Sequence, residues 1–378
     1  MLIIDRYLLR QYIQTFVICY LSLMGLYVVF DAFTNLEQFV RCGEKSGGML
    51  PLMGAFYAYQ SIAFFDRTAG LLALVAAMFT ISWIQRHNEM TALMAAGVPR
   101  IRIAKPVIAA AIAVSLLAAA NRELVIPRFS RQLSRQPQDL IGDVGQELRP
   151  RYDAQTNLLI RGKATYADRQ RIEEPVFLLP RSLSHYAKQL AAKEAFYRPP
   201  EGDRPGGYLL EGVQEPKNLA GRPSLVVDGK PVIITPRDAP DWLQPQQCFV
   251  PSDMAFDELT AGRTFVQFSS TAQLIAGLRK ASLDFEADVR VAIHSRMVQP
   301  FLDITLVFLG LPLVVTRESR NVFVAIGLCL AVVTLFLLVV IGLQYLGAIC
   351  LLDPALAAWA PLMLFVPPAV ALAEGMWR

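Results

Sequence analysis

The chain has 378 residues, of which 54% are hydrophobic and 18% charged, with a formal net charge of +4 and a mean hydropathy of +0.38. Such an apolar excess argues against a soluble enzyme and fits a polytopic membrane protein carrying one soluble domain. The basic residues flank apolar stretches and form no tract, which leaves no nucleic-acid footprint.

Six stretches approach the roughly 20 apolar residues that cross a hydrocarbon core. They are Gln11 to Phe30, Ser61 to Ile84, Ile101 to Ala120, Val298 to Thr316, Val322 to Leu343 and Ala355 to Gly375. The first resembles the apolar region of a signal peptide, but Phe30-Asp31-Ala32-Phe33 offers no small-residue cleavage site, so it reads as an uncleaved anchor. Asp66 and Arg67 interrupt the second near one end, and Leu50 to Phe65 ahead of them reads as an interfacial segment with Tyr57 and Tyr59 at headgroup level. Short loops on one side hold Arg6, Arg10, Arg86, Arg100, Arg102, Lys105, Arg317, Arg320 and Arg378, whereas those on the other hold Arg41, Lys45 and Arg67. The positive-inside rule then puts both termini in the cytoplasm and the large insert outside.

Within the insert, Leu158-Leu159-Ile160, Val176-Phe177-Leu178-Leu179, Tyr208-Leu209-Leu210, Leu225-Val226-Val227 and Val232-Ile233-Ile234 are short apolar runs separated by Gly, Pro, Asp and Arg. This spacing predicts an all-β sandwich or open barrel. Asp228-Gly229 is the strongest hairpin signal, because a two-residue turn with positive φ favours that pair, and Pro199 to Gly207 reads as a long turn. Thr271 to Leu283 predicts an amphipathic return helix with Leu274, Ile275 and Leu278 on one face. The chain divides accordingly into an N-terminal membrane half (1–120), a β domain (121–270), a return segment (271–297) and a C-terminal membrane half (298–378).

Between the second and third spans, residues 85–100 predict a short helix that Gly97 and Pro99 end. Met90, Leu93, Met94 and Gly97 share one face, with Glu89 at its start. Such a ridge suits either insertion into another protein's groove or packing on the chain's own spans.

Several segments carry a family resemblance. Asp5-Arg6-Tyr7, NEMTALMAAGVPRIRIAKP from Asn88 to Pro106, Asn121 to Pro127, Gln299-Pro300-Phe301 and Gly310-Leu311-Pro312-Leu313 resemble the LptF/LptG lipopolysaccharide-export permeases. Ala191 to Ala195 and Gly207 to Val213 are similar to that family's jellyroll strands. The resemblance implies a six-helix (3+3) α-helical membrane protein of the inner membrane with an inserted periplasmic β-jellyroll-like domain. It also implies an ABC transporter made with a second such permease, a cytoplasmic LptB-type ATPase dimer and LptC/LptA-type jellyroll partners, carrying lipopolysaccharide or a related glycolipid. Glu89, Met90, Leu93, Met94 and Gly97 would then belong to the coupling helix seated on the ATPase, and the first and fifth spans would form a lateral gate. No Walker A segment occurs, since Gly43-Glu44-Lys45-Ser46 lacks both its Gly-Lys pair and its spacing, so ATP and Mg would act through the partner and no cofactor would bind directly.

Asp303 stands a little over one turn inside the fourth span, where the family's pattern calls for a small or apolar residue. An intramembrane carboxylate is a functional candidate, and the plainer reading is a headgroup-level group paired with Arg296 or Arg67. Arg41, Lys45, Arg67, Arg290 and Arg296 are predicted near the outer surface, as span anchors or as ligands for lipid A phosphates. The three histidines and five cysteines form no metal or disulfide framework, and no Gly-x-Ser-x-Gly elbow is present. The rival readings are a mechanotransmission ABC subunit that relays ATPase motion without moving lipid, and a membrane enzyme using Asp303.

Overall fold

The computed structural model describes residues 3–45, 48–134, 145, 148, 150–153, 156–166, 169–183, 185–201, 205–217, 219–227, 229–254, 256, 259, 266–279, 286–315 and 322–377. Two compact units emerge, one of residues 1–40, 48–133 and 287–378, the other of residues 41–47 and 134–286.

The first unit is helical. Its principal elements are α1 (Ile3–Thr34), α3 (Met49–Arg86), α4 (Glu89–Ala95), α5 (Arg100–Ala120), α8 (Glu286–Val315), α9 (Val322–Ala348) and α10 (Pro354–Trp377). Among the described residues six helical stretches are long and apolar enough to cross a membrane. Their common core runs through Leu8, Tyr12, Leu74, Ile81, Ile103, Val107, Leu302, Leu306, Val333 and Phe365. Between lipid-embedded helices the packing depends on close approach. Ala73, Ala76 and Ala77 of α3 are therefore buried along with Ala104, Ala110 and Ala111 of α5.

Two glycines mark the tightest contacts. A Cβ on Gly310 of α8 would meet Leu74 Cδ1 at 2.6 Å and Cys329 Sγ at 3.1 Å, and a Cβ on Gly70 of α3 would meet Asp303 Oδ1 at 2.3 Å. Helix α8 thus reaches both α3 and α9 only because these positions carry no side chain.

Leu50 to Phe65, read from the sequence as an interfacial segment ahead of the second span, is continuous with that span in the 38-residue α3. Pro51 falls in the first turn, where its missing N–H costs nothing, so no breaker interrupts the helix. Tyr57 is buried, donates to Asp31 Oδ2 at 2.8 Å and packs on Phe39 and Phe56. Tyr59 packs on Phe129.

The third span also runs past Ala120. Its helix passes into a π-turn at Asn121–Val125 and a 3-10 turn at Ile126–Phe129, where Pro127 disrupts the regular ladder, and then into α6 (Ser130–Ser134). Helix α8 likewise begins at Glu286, ahead of the expected start at Val298, because Val289, Val291 and Ile293 are buried on the same helix. The compact units accordingly divide at 133/134 and 286/287 instead of at 120/121 and 297/298.

The second unit holds α2 (Leu36–Lys45) in part, α7 (Thr271–Arg279) and strands β1 (Arg151–Asp153), β2 (Leu158–Arg161), β3 (Ala164–Tyr166), β4 (Arg171–Glu173), β5 (Val176–Leu178), β6 (Gln189–Arg198), β7 (Gly207–Glu215), β8 (Leu225–Val227), β9 (Lys230–Ile233) and β10 (Gln247–Pro251). Each predicted apolar run is a strand. The pairing is antiparallel throughout, with β6 as the long centre: β4 and β5 occupy successive parts of one edge, and β7 then β10 follow on the other. A register shift at Ala191/Ala192 bends β6 between its partners. Gly229 turns β8 into β9 at φ +77°, as the Asp-Gly signal predicted.

The core of this unit is filled by Leu158, Ile160, Phe177, Leu190, Tyr208, Leu210, Val250 and Phe256. Part of the predicted turn from Pro199 to Gly207 lies outside the described residues. In α7, Leu274 is buried but Ile275 is 42% exposed, so the expected three-residue apolar face is narrower than its spacing implied.

Candidate functional site

The segment between α3 and α5 is a corner built by its own residues. Asn88 enters the left-handed region at φ 58°, ending α3 and starting α4. At the far end Gly97 takes φ +82°, the Gly97 N–H donates to Met94 O at 2.9 Å and the Val98 N–H donates to Leu93 O at 3.0 Å. This paired closure is the Schellman arrangement, and it needs a residue without Cβ strain at Gly97. Pro99 then starts α5 from an extended conformation.

The corner's apolar ridge is turned inward. Met90 is 5% exposed within the helical core, and Leu93, Met94 and Val98 pack against that core. Met90 is thus taken up by the chain's own spans, which removes its apolar surface from water, and Leu93 and Met94 are partly covered by them. What α4 presents outward is Thr91, Ala92, Ala95 and Ala96, followed by Gly97.

Glu89 sits beside this face, half-buried. The Tyr7 hydroxyl of α1 donates to its carboxylate, 3.1 Å from Oε2 and 3.3 Å from Oε1. Arg102 of α5 pairs with Asp5 of α1 at 3.0 Å. Gln85 Nε2 donates to Val314 O of α8 at 2.9 Å, and Arg100 Nε contacts Met94 Sδ at 3.3 Å. The corner is thus tied to α1 and α5, and the last turn of α3 that leads into it is tied to α8.

A second polar constellation lies between α3, α5 and α8. Asp303 is 9% exposed, and its carboxylate accepts from Gln299 Nε2 at 2.9 Å and from Ser115 Oγ at 3.2 Å. The predicted pairing of Asp303 with Arg296 or Arg67 is corrected, because Gln299, one turn earlier on α8, and Ser115 of the neighbouring α5 supply its hydrogen bonds instead. Gly70 leaves the room in which this carboxylate sits.

Nearby, Arg122 Nε donates to both oxygens of Asp66, at 2.9 and 3.0 Å, and the two side chains are 18% and 13% exposed. Asn121 Nδ2 donates to Ile62 O at 3.0 Å. The π-turn at Asn121–Val125 aims both residues at α3, a use typical of such bulges. Sequence reasoning took Asp66 as a flaw in the second span and Arg122 only as part of an exit motif. The available signal was two opposite charges placed in apolar stretches of successive helices.

The predicted phosphate ligands are spread along the chain. Arg67 is exposed on α3, Arg290 is exposed on α8, and Arg296 is half-buried on α8 within electrostatic reach of Arg122, Glu123 and Asp66. Arg41 is exposed on α2, and the Lys45 side chain lies outside the described residues. Among the described residues no His/Cys/Asp/Glu group has metal-ligand geometry, and no disulfide joins the cysteines.

The β unit carries an open groove of about 1000 Å³ lined by Tyr166, Arg171, Glu173, Lys193, Glu194 and Glu211. Tyr166 donates to Glu173 at 2.7 Å, Arg171 pairs with Glu194 at 2.5 Å, and the Arg171 guanidinium lies 4.3 Å from the Tyr166 ring centroid. Hydrogen bonds from Tyr166 and Lys163 hold the Glu173 carboxyl below its ordinary range. The groove is polar; the unit's apolar face is the filled core.

Six long apolar helices with an inserted antiparallel β unit define a helical membrane protein with a separate β domain. The family model described as "Lipopolysaccharide export system permease LptF/LptG" matches residues 6–178 and 227–374, and the chain belongs to that family. It is a multi-pass inner-membrane transport permease of lipopolysaccharide export, not an enzyme. No curated protein matches it.

Proposed function

We propose that this chain is one permease subunit of an ABC transporter that takes lipopolysaccharide, or a related glycolipid, out of the inner membrane and passes it to a periplasmic β-jellyroll bridge. The second permease is a like or identical chain. A cytoplasmic LptB-type ATPase dimer supplies ATP and Mg chemistry, and LptC/LptA-type proteins receive the lipid. The charge bias of the short loops supports cytoplasmic termini and a periplasmic β unit.

The observation that carries the reading is the α4 corner. Its apolar side is consumed by the protein's own core, yet a rigidly capped face of small residues, with the Glu89 carboxylate beside it, stays open. Small side chains let a partner approach the backbone closely, and Glu89 offers a charge-assisted hydrogen bond. Force applied there reaches α1 and α5 through the bonds that tie the corner to them, and α8 through the last turn of α3. Moving acyl chains out of lipid costs about 0.8 kcal/mol per CH₂, so an uncatalysed release is too slow and a driven one is needed.

Co-expression with an LptB-type ATPase and a second permease, followed by reconstitution in proteoliposomes, tests the proposal. ATP-dependent release of lipopolysaccharide to an added jellyroll acceptor is the expected result. Robust hydrolysis without lipid release would overturn it in favour of a relay that moves no lipid.

A further inference from the structure

We infer that Tyr7 is a positioning residue through which α4 steers α1, its hydroxyl joining the first span to the Glu89 carboxylate; the inference rests on the proposed role of the α4 corner. Helix α1 is the loosest of the membrane helices, with 6% of its apolar window buried against 67% for α8. Its exposed side carries Ile13, Ile18, Leu21, Leu26 and Phe30. An element with so little burial is displaced at lower cost than its neighbours; its middle is seated on α3 by ring contacts of Phe16, Tyr20 and Tyr27 with Phe64, Phe65 and Tyr57, and its start is set by polar ties.

Two of those ties meet the same corner. Tyr7 donates to Glu89 at the start of α4, and Asp5 pairs with Arg102 in the first turn of α5. Tyr7 itself is 43% exposed, while Leu8 and Tyr12 are buried and Ile4 and Leu9 pack against the helical core, so this end of α1 combines apolar seating with two polar ties. Farther along, the Tyr12 hydroxyl donates to Ala73 O at 3.2 Å and Tyr20 donates to Ser61 O at 3.0 Å, both on α3. Helix α1 is therefore held along α3 by hydroxyl-to-carbonyl bonds and at its start by the α4–α5 corner. A shift of α4 relative to α3 pulls α1 through Tyr7 first. Of these three hydroxyl bonds Tyr7's alone ends on a charged side chain, so it is the one that a partner's approach to Glu89 loads directly. The same bond holds the Glu89 carboxylate in one orientation while leaving lone pairs for a partner's donor.

The test has two arms on the full-length protein. In nanodiscs without partners, hydrogen exchange of the amides of residues 7–11 and 92–98 is compared between the wild type and Tyr7→Phe. The expected change is roughly tenfold faster exchange in both segments, the loss of one hydrogen bond to a charged group. Unchanged exchange would overturn the tie while leaving the transport reading intact. In the reconstituted complex, Tyr7→Phe is expected to lower lipid released per ATP hydrolysed severalfold, and Tyr7→Phe/Glu89→Gln is expected to be no worse than the more damaging single change. A wild-type ratio in Tyr7→Phe, or a double change whose deficits simply add, would overturn the steering role. A wild-type complex that hydrolyses ATP but releases no lipid would overturn the transport reading instead, with the exchange result unaffected.

Discussion

The Asp66–Arg122 pair yields the most quantitative prediction. One guanidinium nitrogen faces both carboxylate oxygens at 2.9 and 3.0 Å, and the two side chains are 13% and 18% exposed. At about 3 Å and an effective dielectric of about 20, the Coulomb attraction is on the order of 5 kcal/mol, most of it offset by taking both charges out of water. The asymmetry between breaking and replacing the pair follows. Arg122→Met leaves Asp66 partly buried with its partner gone and should destabilise the helical unit by about 3 kcal/mol. Asp66→Leu leaves the guanidinium in the same position and should cost a similar amount. The combined Asp66→Leu/Arg122→Met protein should lose no more than about 1 kcal/mol, because an apolar pair of similar volume packs where the ions were. Unfolding by denaturant in bicelles, followed by tryptophan fluorescence, measures all four corners of the cycle. Equal costs for the double change and the sum of the single changes would refute the claim that these two groups balance each other.

The other predictions concern single sites. Gly70→Ala places a Cβ 2.3 Å from Asp303 Oδ1 and should cost about 1–3 kcal/mol, with Gly70→Ala/Asp303→Ala regaining much of it in the same unfolding assay. Asp303→Asn keeps an acceptor for Gln299 or Ser115 and should leave lipid release near wild type in proteoliposomes. Loss of release in Asp303→Asn would assign the carboxylate's charge a role in transport. Burial pushes the Cys248 thiol up to about 12, so it should resist iodoacetamide at pH 8 while exposed Cys350 reacts, as peptide mass spectrometry would show. Because that thiol's folded value is raised, its contribution to stability is complete below the ordinary thiol range and declines as pH rises toward 12. Hydrogen bonds from the Ser224 side chain and from its backbone N–H, the latter at 2.6 Å, lower the Asp238 carboxyl below its ordinary value of 3.8. The stability from that contact is complete above pH 3.8 and declines as pH falls through the lowered value, so Asp238→Asn should matter at pH 7 and cease to matter in strong acid.

Long apolar stretches and β-branched runs were legible in the sequence because their signals are local. The five apolar runs from Leu158 to Ile234 and the Asp228-Gly229 turn signal each need only neighbouring residues to act. Contacts between distant segments were not legible. Nothing around Asp303 announces that Ser115, far away in the chain, supplies its hydrogen bond, or that Gly70 supplies its space. The ridge of Met90, Leu93 and Met94 was correctly periodic, but periodicity identifies an apolar face without saying what covers it. The ends of the spans moved for a related reason. Helix α5 gives way to a π-turn whose polar residues, Asn121 and Arg122, bond to α3, and composition alone reads such residues as the edge of the membrane.

The central claim is that force delivered at the α4 corner drives lipid out of the membrane, and the Glu89→Lys protein tests it most directly. Lysine repels a cationic partner and removes the acceptor for Tyr7, while Met90, Leu93 and Met94 keep the corner packed. Co-purification with the ATPase and lipopolysaccharide released per ATP, measured on the same preparation, are the readouts. The account predicts a folded, inserted protein that loses ATPase association or hydrolyses ATP with little release; wild-type association together with wild-type release would contradict it.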